Sequence, residues 1–336
     1  MKVPPGLIDS AALVRAGRGT DHISRSFREG RLVRIRRGFY VGIEDWNRAL
    51  PLRRFAWTAA AISRSIPYAV LCGESAILAS GLDVLGAPAC VELATSFPGR
   101  SGLRRSPFMV LGDGPAVQEA RRNRSYPLRY RLQPPRVEAP VQSGEFQCEG
   151  LLPAVVDVMA TEPLSKALVV ADGAARIFRA DGFIPMCGSL ADAPGLQELV
   201  AAQPSASAQA RAHRVAALAS PLVESVGESF SRAVFETLGF DQPNLQQNFQ
   251  DRQGFVGRSD FWWPGANLVG SSTASRSTSK QPVSPESAPR KPSTGRNSAR
   301  TGSGRWATAL SAGAGRISRQ PTAQAASVNT HTVDNL

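Results

Sequence analysis

Between His22 and Arg37 the chain gathers eight side chains able to meet a polyanion: His22, Ser24, Arg25, Arg28, Arg31, Arg34, Arg36 and Arg37. Guanidinium forks bind phosphate oxygens in pairs and also read guanine edges, while serine and imidazole hydrogen-bond to either kind of target. Further along, Glu224 and Asp260 are acids of the type that hold a divalent ion for phosphodiester cleavage. Both chemistries depend on the elements that carry these side chains.

The first set lies in "LIDSAALVRAGRGTDHISRSFREGRLVRIRRGFYVG", Leu7 to Gly42. Asp9 or Ser10 can cap a short helix that carries Leu13 and Val14 and ends at Gly17. Thr20 caps a second helix in which Ile23 and Phe27, four apart, share one face, and Gly30 stops it. His22, Ser24, Arg25 and Arg28 are left for the outside. Val33 and Ile35 then alternate with Arg34 and Arg36, and the chain turns near Gly38 into Phe39, Tyr40 and Val41. That is a hairpin with one apolar and one cationic face. Two short helices and a basic hairpin predict a winged helix-turn-helix, its second helix sized for a major groove and its wing arginines suited to phosphates.

The bulk numbers fit this. The 336 residues suggest two or three domains, and 42% hydrophobic residues suffice for ordinary cores. The net charge of +12 divides into +7 for residues 1–54, −2 for 55–270 and +7 for 271–336, a basic head, a neutral body and a basic tail. No apolar run is long enough to span a bilayer, and the start, "MKVPPGLIDS", lacks the apolar segment of a secretory signal. Cys72, Cys90, Cys148 and Cys187 are scattered, without a CxxC pair, and read as reduced core cysteines. A cytoplasmic location is expected.

The body reads as a mixed α/β region. Helices are expected over "RRFAWTAAAIS", around Ser75–Ser80, and over "LLPAVVDVMAT", "PLSKALVVADGAARIF" and "APGLQELVAAQ". Strands are expected at "ACVELATS", "PFMVLGDG" and "YPLRYRLQPP", and "QPSASAQARAH" reads as a hinge. Catalytic signals are weak here. "LGDGP" does not precede a phosphate-binding helix, and "CGES" at Cys72–Ser75 lacks the second glycine of a nucleophile elbow. His22, His213 and His331 are the only histidines, and none has a companion nearby. The cluster "RRNRSYPLRYR", Arg121–Arg131, could touch nucleic acid, but a charged strand facing water is its commoner reading.

Toward the C-terminus, Ser220-Pro221 reads as a helix start, followed by an apolar stripe through Leu222, Val226, Phe230, Val234 and Leu238 that Gly239 ends. Glu224 and Glu228 share another face of that helix. "LQQNFQ", the turn "DRQG" and "FVGRSDFWWP" then form a hairpin, and "ANLVG" starts a third strand. A helix with Glu, a hairpin ending in Asp260 and a further strand make the layout of the PD-(D/E)XK nuclease core.

From Leu7 to Gly270 the chain resembles a known family. "GRLVRIRRGFY" is similar to the "GxLxRxRRGxY" pattern of antitoxins of AbiE-type (type IV) toxin–antitoxin systems. "SPLVESVGESFSRAVFETLGFDQPNLQQNFQ" and "VGRSDFWWP" resemble the Vsr-like nuclease-fold domain often fused to them. The body departs from the pattern at "EGLLPAVVDVMA", where an Arg-Thr pair usually precedes the aspartate. The next strand of the relatives reads approximately "VGEFDGxxKY" and is missing. Regrouped with one preceding base, codons for Ser271–Thr278 can spell E-F-D-G-K-S-K-Y, so the resemblance implies a frameshift after Gly270. Of the 66 residues that follow, 21 are Ser or Thr and seven are Ile, Leu, Val, Met, Phe, Trp or Tyr, a composition expected to stay disordered.

The expected organisation is therefore an α+β multidomain chain: a winged helix-turn-helix at 1–54, an antitoxin-like α/β domain at 55–205, an incomplete PD-(D/E)XK-like domain at 206–270 and a basic tail at 271–336. The resemblance implies a regulator that binds the operator of its own gene, with a cognate toxin as a further partner and no membrane. The alternative is a nuclease relative, inactive because the Glu-x-Lys strand is lost. Glu224 and Asp260 would then be vestigial, and no cofactor is expected, Mg²⁺ entering only if that site were intact.

Overall fold

The computed structural model describes residues 1–123, 125–133, 139–186 and 188–272; the tail expected to be frameshifted and disordered from Ser271 lies, apart from its first two residues, outside the described residues. The chain divides into two units, Met1–Ala233 and Val234–Leu336. Eleven α-helices and three sheets among the described residues make a mixed α/β protein. No helix among them is long and apolar enough to cross a membrane.

In the first unit α1 (Ser10–Arg15), α2 (Asp21–Arg28), β2 (Leu32–Arg36) and β3 (Phe39–Gly42) follow as two helices and a hairpin, the order expected of the head, with an unexpected β1 (Ile8–Asp9) ahead of them pairing with β3. After α3 (Ile43–Arg48) and α4 (Pro51–Ser65) come β4 (Val70–Leu71), α5 (Gly73–Ala79), β5 (Val91–Thr95), β6 (Gly102–Arg104), β7 (Met109–Val110), α6 (Pro115–Arg122) and β8 (Leu128–Leu132). The hairpin β9 (Val141–Ser143) and β10 (Phe146–Cys148) leads to the helices α7 (Leu151–Thr161), α8 (Leu164–Ala180), α9 (Leu196–Ala201), α10 (Ala206–Leu218) and α11 (Val226–Leu238). The last of these crosses into the second unit.

One sheet has the order β1-β3-β2-β7, so a strand from the body extends the sheet of the head. Val33, Ile35, Phe39 and Val41 point to its buried side and share a core with Trp46, Trp57, Ala61, Val110, Val117 and Ala120. Trp46 stacks on Trp57 at 6.4 Å and on Phe108 at 5.0 Å between ring centroids. Such ring pairs add to the apolar area they bury. The second sheet, β6-β8-β5-β4-β10-β9, is mixed, with parallel pairs β5/β8 and β4/β10. α5, α7, α8 and α10 supply much of the core packed with it, including Ile77, Val155, Met159, Leu168 and Val215.

Two local expectations are corrected. The stretch read as a hinge, Gln203–His213, runs into α10: Ser205 Oγ accepts from Ala208 N at 3.2 Å, and Ala208, Ala212, Val215 and Ala216 are buried. Small residues three and four apart let this helix lie close to its neighbours. The helix expected from Ser220 begins at Val226 instead. Ser225 and Glu228 form a capping pair there: Glu228 N donates to Ser225 Oγ at 3.2 Å, and Glu224 N donates to Glu228 Oε2 at 3.1 Å. The S-x-x-E signature thus overrides the Ser-Pro signal.

The second unit contains an antiparallel sheet, β11 (Asn244–Asp251), β12 (Gly254–Trp263) and β13 (Leu268–Gly270), in the order β11-β12-β13. Phe235 meets Phe261 and Trp263 edge-on at 5.4 and 5.1 Å. The turn after Asp251 and the third strand ending at Gly270 fall where the sequence places them.

Candidate nucleic-acid interface

Three devices hold the head together. Asp9 Oδ1 accepts from Ala12 N at 3.0 Å and starts α1. Ser10 ties that start to the hairpin turn, its N and Oγ donating to Gly38 O at 2.9 and 3.0 Å. Gly30, at φ +73°, ends α2 in a left-handed turn close to the backbone of Leu111. Gly38, at φ +86°, makes the hairpin turn in the same region of backbone space.

α2 buries Ile23 and Phe27, so His22, Ser24, Arg25 and Arg28 are exposed, as their spacing predicts. Arg28 Nε donates to Ser24 O at 3.3 Å, which lays its side chain along the helix. Arg31 is exposed but partly neutralised, 2.5 Å from Glu29 and 3.1 Å from Ser26 Oγ. Arg37, at the turn, is exposed and forms no ion pair among the described residues.

Arg34 and Arg36 differ from the expected outward cationic face. β7 pairs with β2 at Val33 and Arg34, the β2/β3 register slips between Arg34 and Arg36, and both arginines are only partly exposed. Arg34 lies over the Phe27 ring and donates to Met109 Sδ. Arg36 is half-buried; burial pulls its guanidinium below the usual arginine range, with the Tyr130 phenol acting against that.

The acids expected to hold metal are differently placed. Glu224 is exposed in the turn before α11 and belongs to the first unit, whereas Asp260 lies on β12 in the second. Asp260 Oδ2 accepts from Ser271 Oγ at 2.7 Å and from Ser272 N at 2.8 Å, so its carboxylate closes the end of β13. No three His, Cys, Asp or Glu side chains among the described residues converge as metal ligands. The groups around Asp260 do not fit a Mg²⁺ site, and no step through the ion follows from them.

A buried polar network in the first unit has no local signature in the sequence. Glu92 lies 3.7 Å from Arg129 and 3.8 Å from Arg131, and Lys166 bridges Glu74 and Glu162 at 3.1 and 3.3 Å. Glu149 accepts from Gly73 N at 2.7 Å and from Gln133 Nε2 at 2.8 Å, and Gln133 also reaches Asp157 at 3.2 Å. Burial pushes the Glu74 and Glu92 carboxyls up, against the pull of Lys166 and of Arg131 and Arg129. These partners are spread from 73 to 166, so only the folded chain collects them. Ser75, the serine of "CGES", is fully buried and its Oγ accepts from Glu92 N at 2.9 Å, which suits structure rather than nucleophilic attack. Cys72, Cys90 and Cys148 are free and buried, and burial pushes the Cys90 and Cys148 thiols up to about 11.

No family model matches the chain, and no curated protein matches it. Among solved structures, it is similar to the crystal structure of the RV2827C protein from Mycobacterium tuberculosis at 15% identity, with a TM-score of 0.33. The alignment covers 74% of this chain and 84% of that one. At that level the likeness transfers neither fold nor function.

Proposed function

We propose that the chain is a DNA-binding regulator of antitoxin type whose helix-helix-hairpin head is a winged helix-turn-helix acting on the operator of its own gene. The observation that carries this reading is the division of α2: Ile23 and Phe27 anchor one face, and His22, Ser24, Arg25 and Arg28 present the other beside the exposed Arg37. A helix so mounted can lay its polar face in a major groove while cations at its end and on the hairpin meet phosphates. The +7 charge of residues 1–54 supplies the long-range attraction. Such a regulator works in the cytoplasm, and the α/β body is the part offered to a cognate toxin.

The test is a gel shift with duplex DNA from upstream of the gene. A retarded band at low salt that fades as salt rises is expected; no band at low salt sinks the reading.

A second reading has its own support. α11, the hairpin and β13 follow the element order of a PD-(D/E)XK nuclease core, with Asp260 at the expected strand. With the Glu-x-Lys strand lost, this reading is of a nuclease relative without activity in this product, its Asp260 engaged by Ser271 and Ser272 instead. Sequencing the coding DNA around Gly270 tests it: a neighbouring frame that continues with an acid and a lysine supports it, and one that does not removes it.

A further inference from the structure

Among the cations of α2, β2 and the hairpin turn, Arg34 alone lies over an aromatic ring. Its guanidinium carbon stands 5.3 Å from the centroid of the Phe27 ring, and Nη2 donates to Met109 Sδ at 3.3 Å. Phe27 belongs to α2, Arg34 to β2 and Met109 to β7. In the sheet, Arg34 is the cross-strand neighbour of Tyr40 on one side and of Met109 on the other. Tyr40 in turn meets Phe27 edge-on at 5.5 Å.

The attachment these groups reinforce is slender. Ile23 and Phe27 pack with Leu32, and with the partly buried Ile8, Leu13, Tyr40 and Leu111, in a small cluster separate from the larger core under β2 and β3. A helix held by so few apolar groups can tilt or slide unless something fixes its register on the sheet. A guanidinium can stack flat on a ring while its in-plane N–H groups donate sideways, whereas an ammonium is a strongly hydrated point charge without that planar fork.

We infer that Arg34 is a positioning residue, one that locks α2 onto the sheet, rather than a phosphate contact. Arg37, exposed at the hairpin turn, is left as the wing's contact with the DNA backbone. The consequence for DNA rests on the regulator reading; the lock itself does not.

Two measurements on the full chain decide this, using Arg34→Ala and Arg34→Lys. In hydrogen exchange without DNA, amides of α2 should exchange several-fold faster in both variants, while those of α7 stay at wild-type rates. In DNA binding, the upstream duplex should lose about tenfold of its advantage over a mixed-sequence duplex, because each well-aimed base contact contributes on that scale. The slope of log affinity against log salt should not change, whereas Arg37→Ala should lower it by about 0.9 with the preference intact. Unchanged α2 exchange, a lowered salt slope in Arg34→Ala, or full rescue by Arg34→Lys would each overturn the inference. Should the wild-type chain bind neither duplex, the regulator reading falls, and α2 exchange alone decides the lock.

Discussion

Arg232 Nη1 stands 2.8 Å from Oδ1 and 2.9 Å from Oδ2 of Asp172, joining α11 to α8 inside the first unit. Both side chains are buried, and Asp172 also accepts from Ser220 N at 2.7 Å. Two charges taken from water survive there because each satisfies the other. Arg232→Ala would leave the carboxylate unpaired, at a cost of about 3–5 kcal/mol. Chemical denaturation of the variant checks this, and the double change Arg232→Met with Asp172→Asn should recover part of the loss.

The raised carboxyls of Glu74 and Glu92 give stability a defined dependence on pH. Their folded state holds protons more tightly than the unfolded chain does. Their contribution is therefore best in acid and declines as pH rises from the ordinary glutamate range through the raised values. Glu92→Gln removes its share. Thermal melts from about pH 7 down to about pH 5 should show the wild type gaining on the variant as acid is added. The opposite trend would refute the sign.

At Gly30 the backbone leaves no room for a side chain. A methyl group there would sit 2.8 Å from Leu111 O, at a φ of +73°. Gly30→Ala should cost about 1–3 kcal/mol, read as a lower denaturation midpoint. Gly17→Ala, at φ +70° but with open space around it, should cost less.

Arg25 and Arg28 face water on α2. Changing both to alanine should reduce the salt slope of DNA binding by about 0.9 for each phosphate that they neutralise. Isothermal titration at several salt concentrations would show it.

For Asp260 the expected effect is on stability alone. Asp260→Ala removes the acceptor for Ser271 and Ser272 and should loosen the end of β13 by about 1 kcal/mol. Incubation of plasmid DNA with Mg²⁺ should give no cleavage by either the wild type or the variant. Cleavage by the wild type that the variant loses would refute this.

Local signals were the legible ones. The Asp9 cap, the glycine stops at Gly17 and Gly30, the alternation of β2 and the end of α11 at Gly239 act within a few residues, and the fold keeps them. The exposed face of α2 was legible for the same reason. What distant strands do to a side chain was not. Arg34 and Arg36 alternate with Val33 and Ile35 as a solvent face would, yet both are only partly exposed: β7 arrives from about 75 residues on to pair beside Arg34, and burial lowers the Arg36 pKa. α10 was missed because its alanines carry little hydrophobic signal, although Ser205 marks its start. The start of α11 was misplaced because two adjacent cap signals compete, and the reciprocal pair at Ser225 and Glu228 satisfies more backbone groups.

The stacking of Trp46 between Trp57 and Phe108 has a practical bearing on engineering. The helix-helix-hairpin head is not a portable cassette: severed after residue 54, it would present a bare indole and a strand edge to solvent. Carrying the chain on through Arg122, where α6 ends, would restore β7 but strip β5 of β8 and β4 of β10, so the head belongs with the whole first unit. Exchanging the exposed α2 side chains in place, which leaves this core intact, is the gentler way to alter the head.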